Sequence, residues 1–184
     1  MNEIGLIQNV IDQIKEVQLK LGYAEETIYL YFPLESLNSI LQTDYKEEES
    51  LLEALRQAPA FSGSKLGKLK FRLHRNRIEI RIPPQGARYV KECVPDPVFL
   101  KELIHIFSHS HALTLEEVKA CFEKFDDSYV CEEMPSGSEF DYVMYFEDAN
   151  IDLYRYCVKM EMGHTIYHRF TPADYERLAL LGEV

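Results

Sequence analysis

The alternation between residues 68 and 82 constrains this chain more than any other feature. Leu69, Phe71 and Leu73 alternate with Lys68, Lys70, Arg72 and His74. Beyond Arg75-Asn76, the residues Ile78, Ile80 and Ile82 alternate with Arg77, Glu79 and Arg81. Side chains along a strand point to opposite faces in turn, so this pattern predicts a hairpin with one buried and one solvated face. A slip of one residue would bury the charges, so the pattern also sets the register.

The preceding segments place helices and one strand before that hairpin. Ile4, Ile7, Ile11, Ile14, Val17 and Leu21 recur at helical spacing, and Gly22 suits the helix end. Thr27 to Phe32 is β-branched and aromatic, hence a short strand. Pro33 opens a helix that turns Leu34, Leu37, Ile40 and Leu41 inward. Thr43 or Asp44 is expected to cap the next helix, with Leu51, Leu52, Leu55 and Ala58 as its buried stripe. Helix, strand, helix, helix and hairpin is the winged-helix order.

Pro83-Pro84-Gln85-Gly86 ends the hairpin, and a short helical stretch through Tyr89 and Val90 leads to Pro95-Asp96-Pro97. A boundary is expected there, between domains at residues 1–92 and 96–184. The second domain begins with a helix at about Val98–Phe107 and another capped by Thr114-Leu115-Glu116-Glu117. Strands follow near 129–133, 140–147, 154–161 and 165–170, and Thr171-Pro172 opens a last helix. Apolar side chains on both faces of the second of these strands leave two readings, a sheet covered on both sides or one exposed aromatic face. The fold class is α+β: a winged-helix-like N-terminal part, then an antiparallel sheet with flanking helices.

Charge narrows the classes of partner. The net charge is -11, but it divides unevenly along the chain. Residues 1–61 carry 4 Lys/Arg and 11 Asp/Glu (-7), residues 62–92 carry 9 and 2 (+7), and residues 93–184 carry 7 and 18 (-11). Only the middle segment can present a positive field, through Lys68, Lys70, Arg72, Arg75, Arg77 and Arg81, with Lys65, Arg88 and Lys91 beside them. Such a wing suits phosphates or an acidic protein surface, although charges on a solvated strand also prevent edge pairing. The helix that would enter a DNA groove carries Glu47-Glu48-Glu49 at its start, which complements the helix dipole and opposes phosphate.

The remaining chemistry-bearing residues form no recognised motif. Cys93, Cys121, Cys131 and Cys157 are widely spaced and read as reduced thiols of a cytosolic protein. The N-terminus lacks the basic and apolar regions of a signal peptide, and no apolar run approaches the roughly 20 residues that span a bilayer. His105, His109 and His111 are near one another, but nothing close in sequence completes a metal site, so no metal and no cofactor are expected. Asp141, Glu147, Asp148, Arg155, Arg169, His164 and His168 supply acid–base groups without a catalytic spacing. Tyr142, Tyr145, Tyr154, Tyr156 and Tyr167 concentrate in one sheet, the composition of a protein interface, and suggest self-association.

Several stretches carry a family likeness: IYLYFPLESLN, RIEIRIPPQGARYV, FDYVMYFED, DLYRYC and HTIYHRFTPADYE. Over nearly its whole length the chain resembles a family of bacterial domains of unknown function. That resemblance implies no activity, cofactor or site. The expected function is a non-catalytic cytosolic protein-binding or scaffolding module, whose partner is another protein or a second copy. The alternative is a nucleic-acid-associated regulator using the basic wing, and the next is an unrecognised enzyme of the C-terminal sheet.

Overall fold

The computed structural model describes residues 1–109, 112–182 and 184. The protein is α+β and divides into two compact units, Met1–Asp96 and Pro97–Val184.

The first unit runs α1 (Glu3–Leu21), β1 (Ile28–Phe32), α2 (Leu34–Leu41), α3 (Glu48–Gln57), a 3-10 turn (Pro59–Phe61), β2 (Lys70–His74), β3 (Arg77–Ile82) and α4 (Pro84–Cys93). Its sheet is antiparallel in the order β1-β3-β2. Ile28, Leu30 and Phe32 of β1 lie in register with Ile82, Ile80 and Ile78 of β3, and Phe71 and Leu73 of β2 complete the same face. That face joins Leu6, Val10 and Ile14 of α1, Leu37 and Leu41 of α2 and Leu51 and Leu55 of α3 in one core. The period-two reading therefore holds for Ile78, Ile80 and Ile82, all fully buried. Leu73 departs from it: β2 is an outer strand of the sheet, and the residue is exposed there although its partner Ile78 is buried.

Three helical expectations need correction. In α1 the buried face is Leu6, Val10, Ile11 and Ile14, whereas Ile4 is 79 % and Leu21 85 % exposed and Val17 is exposed as well. The helix carries apolar residues on more than one ridge, and its neighbours α2 and α4 select the ridge through Leu6 and Val10. Gly22 does close it, with φ 85 and an N–H that donates to the Gln18 carbonyl. The cap of α3 is Glu47, not Thr43 or Asp44. Asn38 organises the preceding loop instead: its Oδ1 accepts from the Thr43 hydroxyl and the Tyr45 N–H, and its Nδ2 donates to the Tyr45 carbonyl. Finally, Pro84 does not merely stop the hairpin but starts α4, and Gly86 sits in the first turn of that helix. A Cβ at Gly86 would lie 2.6 Å from the Leu66 carbonyl oxygen, so only glycine fits there.

The second unit runs α5 (Val98–His109), α6 (Leu115–Glu123), β4 (Val130–Glu133), β5 (Tyr142–Tyr145), β6 (Arg155–Glu161), β7 (His164–Phe170) and α7 (Pro172–Leu181). The Thr114 capping box forms at α6 as its sequence predicts, with hydrogen bonds in both directions between Thr114 and Glu117. The four strands pair antiparallel in the order β4-β5-β6-β7. On one face Tyr156 and Phe146 meet Phe99 of α5 and Phe122 of α6 in edge-to-face and tilted ring contacts. On the other, Val143 and Cys157 pack with Phe140 and Val184, beside Tyr175 and Leu178 of α7. Of the two readings left open by the sequence, the sheet covered on both sides is the observed one.

Candidate functional site

The outer face of the first unit's sheet gathers most of the predicted basic residues. Register sets three rows across the strands: Lys70, Arg81 and Tyr29; then Arg72, Glu79 and Tyr31; then His74 and Arg77. Neighbouring strands lie about 4.8 Å apart and same-face residues roughly 6.7 Å apart along a strand, so these side chains form a compact grid. All of them are exposed except Glu79.

Glu79 occupies the centre of this solvated face yet is only 1 % exposed. Arg72 covers it with a two-pronged pair, Nε to Oε1 at 2.6 Å and Nη2 to Oε2 at 2.7 Å. This paired fork holds the Glu79 carboxyl below its ordinary range against the opposing effect of burial, and the Tyr31 hydroxyl beside the same carboxylate lowers it further. The Tyr31 phenol is correspondingly raised, by desolvation first and by Glu79 second, and Arg72 is raised by its bond to Glu79. One carboxylate thus neutralises one guanidinium, and the other cations of the face remain.

Those other cations have no comparable counter-ion. Arg81 rests its guanidinium over the Tyr29 ring, 5.7 Å from the centroid. Lys68, Lys70, Arg75 and Arg77 form no ion pair with a described residue. Arg75 sits at the hairpin tip with φ 55, beside Asn76. At that end of the face Tyr31, Pro33, His74, Arg75, Asn76 and Arg77 line an open hollow of about 640 Å³. The Tyr31 and His74 rings there stand 5.4 Å apart at 57°. Of the neighbouring cations named from sequence, Lys65 lies over Tyr89 and Arg88 pairs with Glu25, so both are engaged elsewhere. The carboxylates Glu47, Glu48 and Glu49 begin α3, whose leucines pack on the opposite, inner face.

The C-terminal candidates do not assemble in the same way. Tyr154 and Tyr156 are buried, the latter completely, so they cannot supply a partner surface. Tyr156 lies against Phe99 of α5 and Phe122 of α6. Tyr142, Tyr145 and Tyr167 are half-buried: Arg155 stacks 3.7 Å from the Tyr145 centroid, and Tyr167 packs edge-on against Phe107. Asp152, not singled out from sequence, accepts from the Tyr156 hydroxyl and the Tyr154 N–H, while Arg169 lies 4.0 Å from it and 3.4 Å from the Tyr154 ring centroid. This buried network braces β6 against β7.

The acid–base residues are dispersed and committed to local structure. Asp141 accepts from the Met160 N–H, and Asp148 from the backbone and side chain of Asn150. Glu147 is exposed at the end of β5. His164 and His168 are exposed on β7, the second with its ring against Phe140. His105 and His109 stack 4.1 Å apart on α5, with His109 Nδ1 2.8 Å from the His105 carbonyl. His111 lies outside the described residues. Among the described residues no three His, Cys, Asp or Glu side chains are grouped to hold a metal ion. Cys93, Cys121, Cys131 and Cys157 are all free thiols. Among the described residues no helix is long and apolar enough to cross a membrane.

Sequence reading missed Tyr29 and Tyr31 as members of the basic face, and the burial of Glu79 within it. The signal was present in Ile28-Tyr29-Leu30-Tyr31-Phe32, where alternation sends both tyrosines outward, but only the β1–β3 pairing shows which neighbours they meet. Comparison with known proteins gives one family model, described as a domain of unknown function, E. rectale gene description (DUF3877), which matches residues 4–179. No curated protein and no solved structure matches the chain.

Proposed function

The chain belongs to the DUF3877 family, whose description assigns no activity, and from that premise we propose a non-catalytic binding module whose N-terminal sheet presents an anion-receiving face. The observation that carries this reading is the contrast within the grid. Glu79 is spent on Arg72 and Tyr31, while Lys70, Arg75 and Arg77 stay exposed without a carboxylate partner. Solvation alone needs no such arrangement, since a strand face is kept soluble equally well by mixed charge.

The helix–strand–helix–helix–strand–strand order, with β1 joined to β3, supports a winged-helix-like reading of the first unit. In that reading α3 takes the groove-facing place, and its three glutamates repel a duplex backbone. The partner is therefore received on the sheet, not by groove entry. Protein scaffolding fits this module where the partner surface is acidic.

Binding of fluorescent polyanions tests the reading, with heparin and polyglutamate as probes. Arg77→Glu is expected to weaken binding about tenfold or more, because it replaces attraction by repulsion on the face itself. Lys91→Glu makes the same change in net charge on α4, away from the grid, and is expected to have a much smaller effect. Equal loss in both variants, or no binding by the unmodified protein, would refute a dedicated face.

A further inference from the structure

The face carries flat rings as well as cations, and the two together select a partner. Tyr31 and Tyr29 are each 43 % exposed, and Tyr31 lies in register with Glu79 and stands tilted against His74. An acidic polypeptide would satisfy the guanidinium groups and leave these rings uncovered. A duplex would satisfy them no better, because its bases are stacked on one another and closed to a sheet surface. A single strand of nucleic acid offers both unstacked bases and regularly spaced phosphates.

We propose that the outer face of the first unit's sheet binds single-stranded nucleic acid; the proposal rests on the anion-receiving reading above. Bases stack on Tyr31 and His74, and one enters the open hollow of about 640 Å³ at the hairpin end, beside Asn76 and Arg77. Lys70, Arg77 and Arg81 contact the backbone phosphates along the rows of the grid. Glu79, in register with Tyr31 and gripped by Arg72, and the His74 ring on the other side leave the Tyr31 ring little room before any base arrives, so little side-chain freedom is lost on binding. The acidic start of α3, on the helix that packs against the inner face, does not oppose a strand on the outer one.

Fluorescence anisotropy of the full chain decides the matter with three labelled probes: a single-stranded oligonucleotide of about a dozen residues, the same sequence as a duplex, and polyglutamate. The oligonucleotide is expected to bind at least about tenfold more tightly than the duplex, with affinity falling as salt rises. Tyr31→Ala should weaken binding about 5- to 150-fold, whereas Tyr31→Phe, which keeps the ring, should stay close to the unmodified protein. Arg77→Glu should weaken it and reduce the slope against the logarithm of salt concentration by about 0.7. Polyglutamate bound as tightly as the oligonucleotide, with loss in Arg77→Glu and none in Tyr31→Ala, would overturn the nucleic-acid proposal and leave the anion-receiving face standing. Duplex bound as tightly as single strand would also overturn it. If no probe binds, both the proposal and the reading beneath it fall.

Discussion

Arg72 and Glu79 form a pair with unequal surroundings: the arginine side chain is 61 % exposed and the glutamate 1 %. The consequences of losing either partner are therefore unequal. Arg72→Ala would remove the counter-ion of the Glu79 carboxylate and uncover it to water on one side only, and is expected to be the more costly of the two changes. Glu79→Gln frees an arginine that water can solvate and keeps the shape of the buried side chain, at about 1 kcal/mol. Urea unfolding of the two variants gives the order, and Glu79→Gln costing more than Arg72→Ala would contradict it.

The same pair gives stability a direction with pH. Glu79 titrates below its ordinary value of 4.5 in the folded protein, so the unfolded chain binds the proton first as pH falls. Its contribution is complete above that ordinary value and disappears as pH drops through the lowered one. Urea midpoints are expected to decline as pH falls below about 5, and less steeply in Glu79→Gln. Parallel curves for the two proteins would show that other groups govern acid unfolding.

Thiol labelling should separate the four cysteines by burial. Burial raises Cys121 to about 11 and Cys157 to about 12, and it raises Cys131 as well, before its nearby charges are considered. At pH 8 the thiolate fraction of the two buried groups is negligible. A colorimetric thiol reagent is expected to react first with exposed Cys93, and with Cys121 and Cys157 only after denaturant is added.

Gly86→Ala tests the contact between α4 and the loop before β2. The added methyl group would meet the Leu66 carbonyl, which is backbone and cannot rotate away. Overpacking of this kind costs about 1–3 kcal/mol, against the small gain that alanine normally brings to a helix. A thermal melt unchanged or raised by the substitution would show that the loop yields freely.

What the sequence revealed depends on how many neighbours each pattern needs. The β2–β3 hairpin was legible because a period of two admits one inward face, and the residues that choose it are adjacent in the chain. The Thr114 capping box was legible for the same local reason. In α1, by contrast, apolar residues line more than one ridge, and the ridge that is buried depends on α2 and α4. Glu79 was read correctly as outward-facing, but its burial comes from Arg72 and Tyr31 on the two flanking strands, and no one-strand pattern contains that information. Tyr156 of β6 illustrates the reverse error. An aromatic run looks like an interface until the helices that cover it are placed.

Lys15 has a consequence for where this fold begins and ends. Its ammonium group is almost wholly withdrawn from water, and it donates to the Val94 carbonyl at 2.7 Å and meets the Asp96 carboxylate at 3.2 Å. The first helix is thus fastened to the last residues of its own unit, so the chain between them is closed like a belt with its buckle at positions 15 and 94–96. A fragment trimmed just after α4 would lose the buckle and leave a stranded cation in its interior. One that runs through Asp96 would keep it.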